Sequence, residues 1–423
     1  MIRQPTCKNL VHQMLAAPTE NIKHFKSKIA GLKRARKFVP WGESANLAHE
    51  LNAFLADIAD ASLEPRIGAE LIISFYETDK GTFGRCDDSS GHVGDVYRYD
   101  ARDLFLSFAK HCEDKDWLEK LVVKLNHEDD YGVRDTLIDC AAECLPEPNI
   151  RSMIETFQTL SEKEHEDFAK RHWLYRVESL ARQIKDAPLF EKTRIAAWGR
   201  TPTAACIDIG RVYLESGDAP TALSWLERIP ENEAFKEGER DKVLLDIHSK
   251  LGNVEKQKEI ALRIFRRHRS AGTLQELMSY TGEDNRDAII TGEVAAIFTE
   301  AKLSLTDAAF LIELGLFERA EDYLLERSDQ LNGDYYYDLL PLAENLATAG
   351  RHLSASMVSR TLLDSILRRA RSKAYPHGVR YLRKLDLLAK LISDWQDFED
   401  HAHYSEHLRE KHGRKKTFWA RYD

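Results

Sequence analysis

Residues that interrupt helices are scarce in this sequence. The 423-residue chain has 12 prolines and 21 glycines, whereas charged residues make up 31% of it and hydrophobic residues 43%. Few helix breakers combined with many charges favour helices over sheets. No segment alternates apolar and polar residues for long enough to indicate a β-sheet. The sequence therefore predicts an all-α protein.

The chain also lacks long apolar runs and an excess of positive charge. No run of eighteen apolar residues is present, and residues 1–18 contain no apolar stretch of signal-peptide length. The formal net charge is -9, which argues against a globally basic nucleic-acid binder. The six cysteines show no paired short spacing and are expected to be reduced thiols. We therefore expect a cytoplasmic protein with no membrane partner.

Several nucleotide and hydrolase signatures are missing. The sequence has no GxxxxGK[ST] phosphate loop, no GxGxxG that follows a strand, and no GxSxG elbow. Nucleotide hydrolysis, dinucleotide redox chemistry and serine hydrolysis of the usual kinds are therefore disfavoured. We predict no cofactor and no catalytic residue from these patterns.

Four glycines in the second part of the chain indicate a helical repeat. Each of them ends one helical pattern and precedes another: Gly217, Gly252, Gly315 and Gly350. Each pair is 35 residues apart (252 − 217; 350 − 315), and Ala222, Ala320 and Ala355 follow three of them by five positions. This is the spacing of tetratricopeptide (TPR) repeats, although any helical hairpin can have a glycine at its turn. We predict a helical-hairpin, TPR-like α-solenoid over 148–423, preceded by a helical N-terminal region over 1–147.

One stretch of the N-terminal region, residues 84–99, is predicted to be a loop. It reads GRCDDSSGHVGDVYRY and supplies the candidate functional residues Arg85, Cys86, Asp87, Asp88, Ser89, Ser90, His92 and Asp95. The aspartates could hold a hard cation such as magnesium, and a serine could act as a nucleophile with His92 as base. The alternative, which the sequence favours, is that Asp and Ser side chains bond to backbone amides in turns and helix caps.

Two further sets of residues have the spacing of metal ligands. His403 and His407 lie four residues apart and would share one helix face, as would Cys140 and Cys144. Solvated histidines and buried structural cysteines are the favoured interpretation of both pairs. No metal site is therefore predicted.

Two basic clusters, over 366–384 and 408–421, offer a possible nucleic-acid surface. The candidate basic and aromatic patch consists of Arg380, Arg383, Lys384, Arg409, His412, Arg414, Lys415, Lys416, Phe418 and Trp419. Cationic side chains neutralise phosphates, and aromatic rings stack on bases. The alternative is a solvated face, with the two aromatic residues docking the last helix onto the repeat.

Two sequence blocks carry a resemblance to a known family. One is FGRCDDSSGHVGDV at 83–96, which follows ARKFVPW at 35–41. The other combines YPHGVRYLRKLDLLAKLISDW at 375–395 with HYSEHLREKHGRKKTFW at 403–419. Together they resemble a bacterial domain-of-unknown-function family of helical proteins. The tail is also similar to that of some SWIM zinc-finger proteins, but the Cys-x-Cys pair of the SWIM motif is absent. The resemblance implies a bacterial, cytoplasmic helical-repeat protein and supplies no reaction.

Three functions follow from these patterns, in descending order. The first is a non-catalytic protein-interaction scaffold or adaptor, whose groove would be lined by aromatic, Asn and charged residues such as Tyr335, Tyr336 and Tyr337. The second is a nucleic-acid-binding protein that uses the two basic clusters. The third is a metal-dependent enzyme centred on Asp87 and Asp88. The expected partner is another protein, and the patterns do not predict an oligomeric state.

Overall fold

The computed structural model describes residues 7–199 and 201–423, with side chains described from residue 20 except at 200. Within these ranges the secondary structure is helical and contains no strand, and a single β-bridge joins Val39 to Cys86. No helix in the described part of the chain combines the length and the apolar character needed to cross a membrane. The all-α prediction is confirmed.

The chain forms two compact units, Met1–Val243 and Leu244–Asp423. The helices of the first unit are α1 Cys7–Arg34, α2 Ser44–Ala59, α3 Pro65–Tyr76, α4 Asp79–Phe83, α5 His92–Asp95, α6 Arg102–Ala109, α7 Lys115–His127, α8 Asp135–Asp139, α9 Glu147–Lys163, α10 Asp167–Gln183, α11 Ala187–Trp198, α12 Thr203–Ser216 and α13 Ala219–Leu226. Helix α14 (Glu237–Lys250) contains the boundary between the units. The division at residue 147, where α9 begins, concerns the repeat pattern and stays a prediction.

The second unit continues the helical order. Its helices are α15 Val254–Arg267, α16 Ala271–Thr281, α17 Arg286–Thr299, α18 Leu305–Glu313, α19 Phe317–Glu326, α20 Tyr336–Thr348, α21 His352–Arg368, α22 Tyr375–Ala389, α23 His401–His412 and α24 Lys416–Tyr422. Short 3₁₀ turns lie at Trp41–Glu43, Ala141–Glu143, Glu283–Asn285, Ser328–Gln330 and Ser372–Ala374.

A row of aromatic rings forms the centre of the N-terminal core. The ring of Phe54 in α2 lies 6.0 Å from Phe25 of α1 and 6.3 Å from Phe75 of α3. The ring of Phe75 in turn stacks on Tyr97, with 4.8 Å between the centroids. All four side chains are buried. Contacts of this kind add to the free energy of apolar burial and hold the first helices together.

The predicted loop at 84–99 is shorter than the sequence indicated. Helix α5 begins at His92 and is followed by a π-helical segment, Val96–Ala101, that runs into α6. Only residues 84–91 are irregular, and Gly91, with a φ of 78°, ends them. Tyr97 is fully buried, and its hydroxyl lies 2.7 Å from the Thr78 hydroxyl. The glycines and polar residues of this stretch suggested a loop, but its apolar residues belong to the core.

The repeated glycines lie at the turns of helical hairpins. They separate α12 from α13, α14 from α15, α18 from α19 and α20 from α21, and all adopt positive φ: Gly217, Gly252, Gly315 and Gly350. A residue without Cβ adopts this conformation at low cost, which ends the first helix of each pair. The predicted helical hairpins are therefore confirmed, and their assignment to the TPR type stays a prediction.

Small residues allow the helices of the hairpins to approach closely. Ala222, Ala320 and Ala355 are fully buried in α13, α19 and α21. In the first of these hairpins, a Cβ atom on Gly210 of α12 would lie 2.2 Å from the Leu226 Cδ2 atom and 3.2 Å from the Ala222 carbonyl oxygen. The side chains at these positions therefore set the distance between paired helices.

Candidate interaction surface

The loop at residues 84–91 is fastened to the preceding extended segment by backbone hydrogen bonds. The amide of Val39 donates to the Arg85 carbonyl at 2.8 Å, and the amide of Asp87 donates to the Val39 carbonyl at 2.9 Å. The Arg85 guanidinium also donates to the Lys37 carbonyl at 3.3 Å. The two N-terminal sequence blocks, at 35–41 and 83–96, are therefore neighbours in the structure.

Both aspartates at the start of the loop accept hydrogen bonds from nearby groups. Asp88 accepts from the amides of Val93 and Gly94 at 2.9 and 2.8 Å, which caps α5. Asp87 accepts from the Ser89 hydroxyl at 2.5 Å and from the Ser89 amide at 3.2 Å, and these bonds lower the pKa of Asp87. These contacts support a turn-and-cap role for both carboxylates.

The remaining candidates in the loop are not drawn together into a site. Ser90, His92 and Asp95 are exposed, and Cys86 is half-buried with its pKa raised by burial. No group of three or more metal-binding side chains occurs among the residues whose side chains the structure describes. The structure thus shows a well-formed turn at this position, without the second set of ligands that the metal-dependent hypothesis needs.

The cysteines near residue 140 are held as thiols. Cys140 donates to the Thr136 carbonyl at 3.0 Å and Cys144 to the Ala141 carbonyl at 3.5 Å. Burial raises the pKa of Cys140 to about 12 and that of Cys144 to about 11. Zinc binds the thiolate, so this environment opposes metal binding at neutral pH. Cys7 lies outside the residues whose side chains are described.

The C-terminal histidines each face a carboxylate. His403 lies 2.9 Å from Asp400, and His407 lies 2.6 Å from Glu399. The hydrogen bond to Asp400 raises the pKa of His403. His401 lies 2.8 Å from Asp386. Because each ring has its own acidic partner, the geometry supports helix capping and surface ion pairing.

The two aromatic residues of the predicted basic patch are core residues. Phe418 is fully buried, with its ring 5.6 Å from Tyr375, and Trp419 is buried, with its indole N–H donating to the His412 carbonyl at 3.0 Å. Buried rings cannot stack on nucleic-acid bases, so the prediction that these two residues belong to a binding patch is wrong. Their apolar surface docks α24 against α22 and α23 instead.

Part of the charge of the patch serves local contacts. Arg409 pairs with Asp423 at 2.7 Å and lies over the Trp419 ring at 4.4 Å. Arg383 donates to the carbonyls of Arg421 and Tyr422, at the end of α24. Burial lowers the pKa of the Lys384 ammonium group.

The other members of the patch differ in exposure. Arg380, Arg414 and Lys416 are exposed, whereas Lys415 and His412 are half-buried. Arg380 lies 2.6 Å from the Nδ1 atom of His377. Burial, followed by the charges of Lys415 and Lys411, lowers the pKa of His412.

The three consecutive tyrosines before and within α20 form an exposed aromatic patch. Tyr337 is 79% exposed and Tyr335 58% exposed, and the rings of Tyr336 and Tyr337 are 4.1 Å apart. The pKa of Tyr336 is raised, chiefly by its hydrogen bond with Tyr337, and the charge of Arg371 opposes that rise. These large rings are available to a binding partner.

A basic cavity of about 380 Å³ adjoins Tyr336. It lies between the segment before α20, helix α21 and the start of α22. Its walls are Gly333, Asp334, Tyr336, Leu362, Ser365, Ile366, Arg369, Arg371, Lys373, Ala374, His377 and Tyr381. A Cβ atom on Gly333 would lie 2.3 Å from the Thr361 carbonyl oxygen, so only glycine allows this segment to lie so close to α21.

A second cavity, of about 340 Å³, adjoins Tyr337. Its walls come from α18, α20 and the turn before α16, and they are His268, Arg269, Ser270, Leu305, Thr306, Ala309, Ile312, Glu313, Tyr337, Asp338, Pro341, Leu342 and Asn345. Arg269 is fixed by Glu293 and Asp307, each 3.0 Å away. We call the stacked tyrosines Tyr336 and Tyr337, with the two cavities beside them, the double-tyrosine surface.

A larger cavity, of about 480 Å³, lies in the first unit but is less suited to recognition. Its charged walls neutralise each other, since Arg102 lies 2.7 Å from Asp103 and Lys110 lies 2.9 Å from Glu143. None of its walls is aromatic. The double-tyrosine surface combines exposed rings, apolar walls and cations, which is the composition of protein-binding sites.

The sequence indicated the tyrosines and the basic cluster separately and did not join them. Arg371 and Lys373 belong to the 366–384 cluster but were not singled out as site residues, and His268 and Asn345 were missed. The helical periodicity places His377 and Tyr381 on one face of α22. No local pattern shows that this face meets the segment containing Tyr336.

Comparisons with known proteins give a family and little more. A family of unknown function (DUF6880) matches residues 4–421. The comparison with curated proteins finds no match. Among solved structures, a circular tandem repeat protein with novel repeat topology and enhanced subunit contact surfaces is similar, at 16% identity and a TM-score of 0.24, over 96% of this chain and 99% of that chain. A likeness at that TM-score does not bear on function.

Proposed function

Because the chain belongs to a family of unknown function (DUF6880), which supplies no activity, we propose a function from the structure itself. The protein is a non-catalytic interaction scaffold of the helical-repeat type, and the double-tyrosine surface binds a segment of a partner protein. The observation that carries the proposal is the pair of exposed, stacked rings with a cavity on each side.

The chemistry of this surface suits a polypeptide. Tyrosine rings give large contact areas at a small cost in conformational entropy, and tyrosine is enriched in the residues that dominate binding energy. The cavity beside Tyr337 adds the amide of Asn345 and the apolar walls of Pro341 and Leu342. An extended segment needs such groups to pair its backbone and bury its side chains.

The nucleic-acid alternative receives less support. It relied on stacking by Phe418 and Trp419, and both are buried. Arg409 and Arg383, from the two basic clusters, are engaged by groups at the end of the chain. With a net charge of -9, the whole chain also repels a long polyanion. The metal-dependent alternative is disfavoured by the capping role of Asp88.

The proposal is tested by site-specific photo-crosslinking in the cells from which the protein comes. Benzoylphenylalanine placed at position 337 is expected to trap one discrete partner protein on irradiation. The matched control places the same group at Glu406, which is exposed and lines neither cavity. The proposal fails if positions 337 and 406 give the same adducts, or if position 337 gives none.

A further inference from the structure

The charges of the basic cavity indicate the chemistry of the partner. We propose that the segment bound by the double-tyrosine surface is acidic, and that its carboxylates enter the cavity formed around Arg371 and Lys373. This inference rests on the proposed function, because it specifies the segment that the scaffold binds.

Two cations of the cavity have no ion-pair partner among the residues whose side chains the structure describes. No carboxylate of this part of the chain lies within 4.0 Å of the charged nitrogens of Arg371 or Lys373, and both side chains are exposed. The third cation, Arg369, pairs with Asp334, the one acidic residue among the cavity walls. The cavity thus contains more positive charge than its own carboxylate neutralises.

The pairing of Asp334 shows how this cavity holds a carboxylate. That side chain accepts a hydrogen bond from the Ser365 hydroxyl at 2.8 Å and also contacts the Arg369 guanidinium. A guanidinium with a hydroxyl close by is a strong and directional carboxylate site. Arg371 and Lys373 offer the same charge to a carboxylate supplied from outside.

The elements around the cavity leave this positive charge in place. The titratable groups of its walls are Asp334 and Tyr336 from the segment at the start of α20, Arg369 from α21, Arg371 and Lys373 from the following turn, and His377 and Tyr381 from α22. Tyrosine is neutral at physiological pH. The charge of Glu344 reaches Tyr381 but this residue is not part of the walls.

A short acidic segment fits this arrangement better than a nucleic acid does. The favourable charge is confined to one cavity beside two aromatic rings, whereas the chain as a whole is acidic. A short segment gains the local attraction, and a long polyanion must also cross the repulsive remainder of the surface. The acidic character of the chain also disfavours binding of the segment elsewhere.

Fluorescence anisotropy of the full chain with a defined probe tests this inference. The probe is a fluorescein-labelled peptide of alternating tyrosine and glutamate, and its matched control replaces glutamate with glutamine. A labelled oligouridylate of equal length represents nucleic acid. The charge-reversal variant is Arg371→Glu with Lys373→Glu, and the control variant is Arg414→Glu with Lys416→Glu, which changes the same charge at exposed residues before and at the start of α24.

We expect the glutamate peptide to bind at least tenfold more tightly than the glutamine peptide and the oligouridylate. We expect Arg371→Glu with Lys373→Glu to weaken its binding by about tenfold, since close charge pairs dominate such contacts, and the control variant to change it less than twofold. Raising the salt to ~300 mM should also weaken binding.

Equal binding of the glutamate and glutamine peptides, equal losses in the two double variants, or tighter binding of the oligouridylate would each overturn the inference. If the crosslink at position 337 persists in that case, the scaffold proposal survives and only the acidic character of the partner is refuted. Loss of that crosslink as well would refute both.

Discussion

A single methyl group at Gly210 decides how closely α12 and α13 pack. A Cβ atom there would lie 2.2 Å from the Leu226 Cδ2 atom, and the nearby Ala222 carbonyl restricts movement. We expect Gly210→Ala to lower the free energy of unfolding by about 2 kcal/mol, the usual cost of overpacking a core. Urea denaturation measures the change.

A matched control is Gly31→Ala. Gly31 lies within helix α1, and a Cβ atom on it would meet no neighbouring side chain or element within 4 Å. Alanine there should be neutral or stabilising by up to about 1 kcal/mol, because it favours the helix more than glycine does. Equal losses in the two variants would show that the effect at Gly210 comes from backbone conformation and not from packing.

The buried carboxyl group of Glu178 makes stability depend on pH. Burial raises its pKa to about 7, and the Arg194 guanidinium, 2.8 Å away, opposes that rise. Because the folded pKa exceeds the unfolded value, the folded state binds more protons between about pH 4.5 and pH 7. The stability contributed by this group is complete below about pH 4.5 and is lost as the pH rises through 7.

Glu178→Gln should therefore remove this component of the pH dependence. We expect the difference in unfolding free energy between wild type and variant to change between pH 5 and pH 8, in the direction that favours wild type at the lower pH. Thermal unfolding followed across this range measures it. A difference that stays constant with pH would refute the assigned titration.

At the scale of residues, the sequence predicted local roles but not distant partners. The repeated glycines were recognised as turns because left-handed backbone favours glycine. Asp and Ser in the 84–91 loop suggested caps, and Asp88 performs that role within six residues. In contrast, Arg134 forms a buried ion pair with Asp79 at 2.7 Å, and no local pattern connects residues so far apart in sequence.

At the scale of elements, α24 depends on the burial of Phe418. We expect Phe418→Ala to cost about 3–5 kcal/mol, because it removes a fully buried ring and leaves a cavity against Tyr375 and α22. Hydrogen exchange should show α24 losing protection first, and chemical denaturation measures the total loss.

The control on the same helix is Lys416→Ala, which changes an exposed residue and should alter stability by less than about 0.5 kcal/mol. A small effect of Phe418→Ala, similar to that of the control, would contradict the core role of this ring and restore it as a candidate contact for a ligand.

The elements themselves were more predictable than the surface they form. Hairpins follow from helical periodicity and turn glycines, which are local signals. The loop at 84–99 was drawn too long because its glycines and polar residues concealed a π-helical segment around the buried Tyr97. The basic cavity depends on the close approach of Gly333 to Thr361, a tertiary contact that periodicity does not show.

At the scale of the whole molecule, charge and recognition have opposite signs. The chain has a net charge of -9, yet the cavity beside Tyr336 is lined by Arg369, Arg371 and Lys373. A locally basic cavity on an acidic protein restricts an acidic ligand to one place. This arrangement suits a scaffold that must select one segment of one partner.

The most direct test of the account is the affinity of the crosslinked partner for two alanine variants, measured by isothermal titration calorimetry. Tyr336→Ala with Tyr337→Ala removes the stacked rings, and Phe168→Ala removes an 83%-exposed ring of α10 as the control. The account predicts a loss of at least about 2 kcal/mol for the double variant, as expected for aromatic residues that dominate an interface, and no measurable loss for the control. Unchanged affinity of the double variant would contradict the claim that the double-tyrosine surface binds the partner.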